Sequence, residues 1–218
     1  SDYVSEAVKI AEGWPILGTW GGQCIPQFEV RPNPKLQLFL GGLALRESQQ
    51  DYWSNFEYWS SSHPYGAGIC VRRSVAEQFA DKVRKDSRRL LLGRAGKNLS
   101  AGDDFELNRT ACRLGLGCGV FHALKLVHMI PANRVEEHYL RNLWRGITYS
   151  NYLIRFLDGD FLDARRTRSL RVVLRLLECA MRERSLTQLK FAWSCIQGER
   201  DAIKLIRELE SCSAKPLK

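Results

Sequence analysis

Asp103 and Asp104 lie in the polar turn Ser100-Ala101-Gly102-Asp103-Asp104-Phe105-Glu106-Leu107, and His128 closes the next apolar run. A positioned carboxylate can take a proton from a hydroxyl as general base, and carboxylates with an imidazole can hold a divalent cation. Behind the turn Leu107, Ala111 and Leu114 recur at i, i+4 and i+7, the period of a helix with one apolar face, and Gly115 stops it. The two aspartates therefore fall at a helix N-terminus, where the dipole and the free N–H groups favour ionised carboxylates. That position suits a plain cap with acidic first-turn residues as well as it suits catalysis. A lone His at the end of a strand likewise reads as a backbone-bonded residue as readily as a ligand. His63, His122 and His138 have no comparable setting and read as structural or exposed.

The elements that must hold these groups are readable in outline. Residues 3–12 give a short helix through Val4, Ala7, Val8 and Ala11, ended by Gly13 and Pro15, and residues 16–20 give a buried strand. Arg31-Pro32-Asn33-Pro34 breaks the chain before an apolar stretch over 36–45. Residues 47–66 form a long loop carrying Tyr52, Trp53, Phe56, Tyr58, Trp59 and Tyr65, rings suited either to stacking on sugars or to packing as a lid. A helix over 74–92 follows, with Ser74 as N-cap and Glu77 at the capping-box spacing. Its Lys82, Arg84, Lys85, Arg88, Arg89 and Arg94 read as a solvated basic face. Residues 117–121 and 124–128 read as two short strands, and 135–156 as a long helix bearing Tyr139, Leu143, Ile147 and Ile154. Asp158-Gly159-Asp160 marks a boundary, beyond which residues 164–183 and 186–209 are helical and rich in Arg and Lys.

With 218 residues and 44% hydrophobic content the chain can bury a substantial core, a composition that favours folding over disorder for most of it. A net charge of +9 points to an anionic neighbour, whether a phosphate-bearing substrate, a membrane surface or nucleic acid. The seven cysteines are scattered and include no Cys-x-x-Cys pair, which favours a reducing compartment and gives little support to zinc. No apolar run is long enough to span a bilayer. The expected location is cytoplasmic, with at most a peripheral position at the inner face of the membrane.

The turn, the strand and their flanks together resemble the second half of a family 2 glycosyltransferase of the GT-A fold. In that family a glycine-acid-Asp motif opens a helix, as Gly102-Asp103-Asp104 does here, and a strand ending in His follows, as at His128. Trp20-Gly21-Gly22-Gln23 is similar to the family's central strand, and Gly66-Ala67-Gly68-Ile69-Cys70-Val71-Arg72-Arg73 to its acceptor-side strand entering a helix. Ile130-Pro131 and Arg145-Gly146-Ile147-Thr148-Tyr149-Ser150 continue the resemblance downstream. The implied fold class is α/β, the C-terminal part of a GT-A-like mixed sheet flanked by helices and followed by a helical tail. Residues 1–157 would hold the acceptor side and the catalytic base, and residues 158–218 a basic helical extension.

The resemblance implies transfer of a sugar, with inversion, from a nucleotide-sugar donor to a glycan or lipid-linked acceptor, in surface polysaccharide synthesis. It assigns Asp104 as base and Asp103 as its acidic partner, where the family more often has Glu. It places Trp20, Gln23, Gly66, Gly68 and Arg72 near donor or acceptor, and Trp53 of the aromatic loop is a further substrate-binding candidate because its ring can stack on a sugar. Arg145, with Arg141 and Trp144, is similar in composition, though not in order, to a diphosphate-binding Gln-x-x-Arg-Trp element. His128 would be a ligand to Mn2+ or Mg2+, imidazole suiting Mn2+ better. That site needs an upstream Asp-x-Asp motif, and none precedes Trp20. The chain is therefore expected to be the C-terminal piece of such an enzyme, weak or inactive alone.

A different class, a non-catalytic module using its basic surface for nucleic acid or anionic membrane, is the alternative. Nucleic acid is disfavoured because the aromatic residues gather in 52–65 and the basic ones in 82–94 and 165–184, not interleaved. The basic segment 165–184 carries Leu170, Val173, Leu174 and Leu177 on one face, a pattern that serves membrane contact or internal packing.

Overall fold

The computed structural model describes residues 2–93, 100–159 and 185–213. Helix α1, Tyr3–Gly13, starts where the Asp2 side chain accepts from the N–H groups of Val4 and Ser5, and it buries Ala7 and Ile10, which lie on one face at i and i+3. A four-stranded mixed sheet follows in the order β2-β4-β1-β3. Its centre is the parallel pair β1, Leu17–Phe28, and β4, Gly117–Ile130. The short strands β2, Tyr52–Ser54, and β3, Cys70–Val71, flank it antiparallel to β4 and β1. The architecture is thus mixed α/β with an open sheet, as the sequence predicts at that level.

The two strands read in 117–128 are one strand with an interruption. Gly22 pairs with Phe121 but Gln23 pairs with Lys125, so residues 122–124 are looped out and the ladder then resumes. Gln23 holds the bulge: its Nε2 donates to the His122 carbonyl at 2.7 Å and its Oε1 accepts from the Ser48 N–H at 3.0 Å. Strand β2 is also a correction, since residues 47–66 read as loop throughout; Trp53 pairs with Gly119.

Cys118 and Phe121 are an odd number of residues apart and so face opposite sides of the sheet. On one side α1 packs Ala7 and Ile10 on Leu17, Trp20, Phe121 and Leu124. On the other, α2, Arg73–Lys85, and α3, Asp103–Arg113, pack Val75 and Ala111 on Cys118. The expected single helix over 74–92 is broken. Arg72, not Ser74, stands at the cap position, and the chain stops at Asp86, whose carboxylate accepts from the Arg88 N–H and starts a 3-10 turn over Ser87–Leu92.

A helical layer completes the fold. Helix α4, Glu137–Leu157, lies against a 3-10 segment, Pro34–Leu43, and against α5, Leu186–Ser213. Leu36, Leu40, Leu43, Ile130, Leu140 and Leu143 close around Phe191, whose ring stacks on Phe39 with centroids 3.5 Å apart. A second cluster joins Leu92, Leu153, Ile154 and Ile206. Phe191 and Ile206 of α5 are both buried there, each worth about 1.5–3 kcal/mol. The last helix of the segment that the sequence sets off after Asp158 therefore shares its core with α4. Among the described residues no helix is long and apolar enough to cross a membrane. Arg94, Asp160 and the basic segment 165–184 lie outside the described residues.

The basic face read along 82–94 is partly turned inward. Glu106, in the first turn of α3, is fully buried; its carboxylate receives Lys82 and, at 2.5 Å, Arg89. Arg109, one turn on, binds Asp158 and, at 2.7 Å, Glu57, while Arg113 reaches Glu57 at 2.5 Å and Asp158 at 3.2 Å. Burial pushes the Asp158 carboxyl up, but Arg109 and Arg113 outweigh it and hold it below the usual carboxylate range. Glu57 is lowered in the same way, the two arginines overcoming its own burial. Burial in turn pushes the Lys82 ammonium down, and Glu106 offsets only part of that. The network ties α3 to α2, to the aromatic loop and to the end of α4.

Candidate functional site

Asp103 and Asp104 are the first two residues of α3, and the N-cap, Gly102, makes no side-chain cap bond. Gly102 is needed for packing: a methyl there would sit 3.0 Å from Ile154 Cδ1 and 3.2 Å from Ser150 Cβ. Its N–H donates to the Leu92 carbonyl at 3.1 Å, and Ser150 Oγ accepts from the Ala101 N–H at 3.0 Å. The turn is thus held between the 3-10 turn that ends at Leu92 and α4.

A plain cap bonds N–H groups of its own first turn. Asp104 does that through Oδ1, which accepts from the Phe105 N–H at 2.8 Å. Its Oδ2 reaches instead to the Gly66 N–H, 3.0 Å away and 38 residues earlier in the chain. The turn it grips is fixed at its other end by Tyr3, whose hydroxyl donates to the Gly68 carbonyl at 2.6 Å. Burial pushes that hydroxyl's pKa up, so it stays protonated and a donor. Gly68 has φ +73°, and a methyl there would meet Leu126 Cδ1 at 2.3 Å, so only glycine fits.

Gly66, Asp103, Asp104 and His128 all line one cavity of about 560 Å³, within the usual size of a small-molecule site. Asp103 is exposed, Asp104 half-buried, and His128, opposite Pro26 on the β1–β4 ladder, is also half-buried. Arg134, which the sequence reading does not single out, lines the same cavity, as does Tyr139, read there only as a residue of the long helix. Arg134 lies in the 3-10 turn Ala132–Val135 that follows β4, its guanidinium 6.0 Å from the Tyr139 ring centroid, and no carboxylate among the described residues pairs with it. A half-buried cation just beyond a strand-end His is the signal that would have found it.

The other residues singled out in the sequence do not line this cavity. Trp20 is buried under α1 and donates from Nε1 to the Ala7 carbonyl at 3.1 Å. Gln23 holds the β4 bulge, and Gly68 shapes its turn from behind. Arg72 donates to the carbonyls of Leu17 at 2.6 Å, Ala11 at 2.7 Å and Trp14 at 3.0 Å, clamping the end of α1 to the sheet. Arg145 pairs with Asp201 of α5 at 2.6 Å. Trp53, on β2, is about half exposed beside Trp14. Phe56, Tyr58 and Trp59 are more than half exposed, and Trp59 stacks on Tyr65 at 6.0 Å.

Asp103, Asp104 and His128 do not by themselves bring three ligand atoms within reach of one ion. Among the described residues the one such group is His63, Cys112 and Cys118, whose ligand atoms lie within 4.8 Å of one another. There the neighbouring Cys118 thiol holds the Cys112 thiol well below its usual range against the opposing effect of burial, with the His63 ring adding to it. Cys118 is pushed up correspondingly.

The chain matches no protein-family model, no curated protein and no solved structure.

Proposed function

We propose that the protein transfers a sugar from a nucleotide-sugar donor to a glycan or lipid-linked acceptor, with inversion at the anomeric carbon, and that Asp104 is the general base. One observation carries the reading: Gly66, Asp103, Asp104, His128 and Arg134, spread over the chain, converge on a single cavity of suitable size. These include the residues that the resemblance to family 2 glycosyltransferases assigns to base, acidic partner and metal side.

In the reaction the acceptor oxygen forms its bond to the anomeric carbon as the bond from that carbon to the diphosphate breaks. The acceptor proton passes to the Asp104 carboxylate, a step worth about 10²- to 10⁴-fold. The Gly66 N–H fixes that carboxylate by its hydrogen bond to Oδ2, so its orientation is set before substrate arrives. The departing nucleoside diphosphate gains negative charge, and Arg134 is the cation of this cavity placed to receive it. The half-exposed rings of Phe56, Tyr58 and Trp59 offer apolar faces for acceptor sugars. Among the described residues, those of the cavity do not make a closed ligand set for Mn2+ or Mg2+.

The test is donor-dependent transfer by the protein expressed from its complete gene. A panel of nucleotide sugars is offered with glycan and lipid-linked acceptors, with and without Mn2+, and nucleoside diphosphate release is measured beside the mass of the acceptor. Release matched by a hexose- or N-acetylhexosamine-sized mass gain supports the reading. Nucleotide-independent behaviour across the whole panel contradicts it.

A further inference from the structure

We propose that His63, Cys112 and Cys118 form a structural zinc site that staples the aromatic loop to the end of α3, a site separate from the cavity of Asp104. His63 comes from the loop between β2 and β3, Cys112 from the last turn of α3, and Cys118 from the start of β4. Their ligand atoms lie within 4.8 Å of one another.

The spacing of the sulfurs favours a shared ion over a disulfide. Cys112 Sγ and Cys118 Sγ are 3.7 Å apart. Two thiolates on a tetrahedral zinc, each at about 2.3 Å, stand about 3.8 Å from one another. A disulfide would need them at about 2.05 Å. The sulfurs therefore already sit at the edge length of a zinc tetrahedron.

The histidine adds an independent observation. His63 is fully buried, and its Nε2 lies 2.9 Å from the Phe56 carbonyl oxygen. A carbonyl only accepts, so Nε2 carries the hydrogen and Nδ1 keeps its lone pair. Nδ1 is buried with no hydrogen-bond partner, a state that costs about 1–3 kcal/mol when nothing compensates it. An imidazole with one nitrogen bonded to a backbone carbonyl and the other held for an ion is the usual arrangement of a metal-ligating His. With the Phe56 carbonyl engaged by Nε2–H, a water completes four ligands.

Charge balance suits the burial. Zinc binding to two thiols releases two protons, and Zn2+ with two thiolates and a neutral imidazole carries no net charge, which avoids the penalty of an uncompensated ion in a core. Cys112 is half-buried while Cys118 and His63 are buried, so the ion enters from the Cys112 side. The separation of 63, 112 and 118 along the chain explains why the cysteine pattern gave no sign of such a site.

The experiment uses the intact protein, stripped with chelator under reducing conditions and titrated with Co2+ as probe. One equivalent is expected to give tetrahedral visible bands and a thiolate-to-cobalt charge-transfer band, both abolished by one equivalent of Zn2+. Cys112→Ser is expected to weaken Co2+ binding by more than about 100-fold, beyond the 10- to 100-fold that loss of an outer contact costs. Because a variant can fail to fold, the wild-type protein is also alkylated with iodoacetamide with and without Zn2+, and peptide masses should show zinc-dependent protection at Cys112, the half-buried thiol. Absence of the charge-transfer band at one equivalent, its persistence in Cys112→Ser, or alkylation of Cys112 unchanged by Zn2+ overturns the proposal.

Discussion

Replacing Glu106 by Gln tests whether the buried ion network holds α3, whose first turn carries Asp103 and Asp104. The change keeps the shape and one acceptor oxygen but replaces the other with an NH2 donor and removes the negative charge that Lys82 and Arg89 share. The Glu106 side chain is 0% exposed, that of Arg89 7% and that of Lys82 21%, so water can solvate neither cation fully, and Arg89 least, once the charge is gone. Breaking a buried pair from one side costs about 3–5 kcal/mol, most of it the penalty of the stranded partner. With a urea dependence of about 3 kcal/mol per molar for a chain of this size, the unfolding midpoint should fall by about 1–1.7 M. Glu77→Gln, which removes the exposed Arg73 pair, supplies the control and should change stability by no more than about 0.5 kcal/mol. Adding Lys82→Met to Glu106→Gln should recover about 1–3 kcal/mol, because it deletes one stranded donor. The assay is urea unfolding followed by circular dichroism and tryptophan fluorescence. A fall of less than about 0.3 M for Glu106→Gln, or no recovery in the double variant, would refute the view that this network anchors α3.

The carboxyls of Asp158 and Glu57 are held below their ordinary range in the folded protein, so the stability they contribute is present above about pH 4 and is lost as pH falls through their lowered folded values. Asp158→Asn should therefore lower thermal stability near neutrality and flatten its acid decline, measured as the melting midpoint across that window. Gly68→Ala should destabilise by about 1–3 kcal/mol because it combines a positive φ with a clash on Leu126, whereas at Gly66 a methyl meets Asp104 Cβ at an ordinary 3.5 Å and should cost no more than about 0.5 kcal/mol; chemical denaturation separates the two. Arg134→Ala should weaken nucleoside diphosphate binding by about 10- to 100-fold, the worth of a hydrogen-bonded charge, with folding kept, as read by calorimetry.

Much of the local structure was legible because it is written in short-range chemistry. The period of Leu107, Ala111 and Leu114 gave α3, and the apolar spacing after Pro131 gave α4 to within two residues at its start and one at its end. What was not legible depends on partners far away in sequence. The charge run over 82–94 looks like a solvated face until Glu106 is brought under it, and an acid in a first helical turn looks like a dipole partner until two cations close on it. Asp158 reads as linker punctuation but is buried between Arg109 and Arg113. The single strand β4 reads as two because the bulge over 122–124 breaks its alternation, and its repair lies in the side chain of Gln23. At the site, the meeting of Gly66, Asp103, Asp104 and His128 was expected from family resemblance and not from spacing. Arg72, Arg145 and Trp20, singled out by the same resemblance, serve the fold through backbone carbonyls, Asp201 and α1.

The most direct test of the central claim is the turnover of Asp104→Asn in the protein expressed from its complete gene, with nucleotide affinity measured on the same preparation. Asn fits a helix start about as well as Asp, and its amide oxygen can still accept from the Gly66 N–H, so folding and donor affinity should stay within about twofold while kcat falls by about 10²- to 10⁴-fold. Turnover close to that of the unmodified protein, with the variant folded and binding donor, would contradict the assignment of Asp104 as the base.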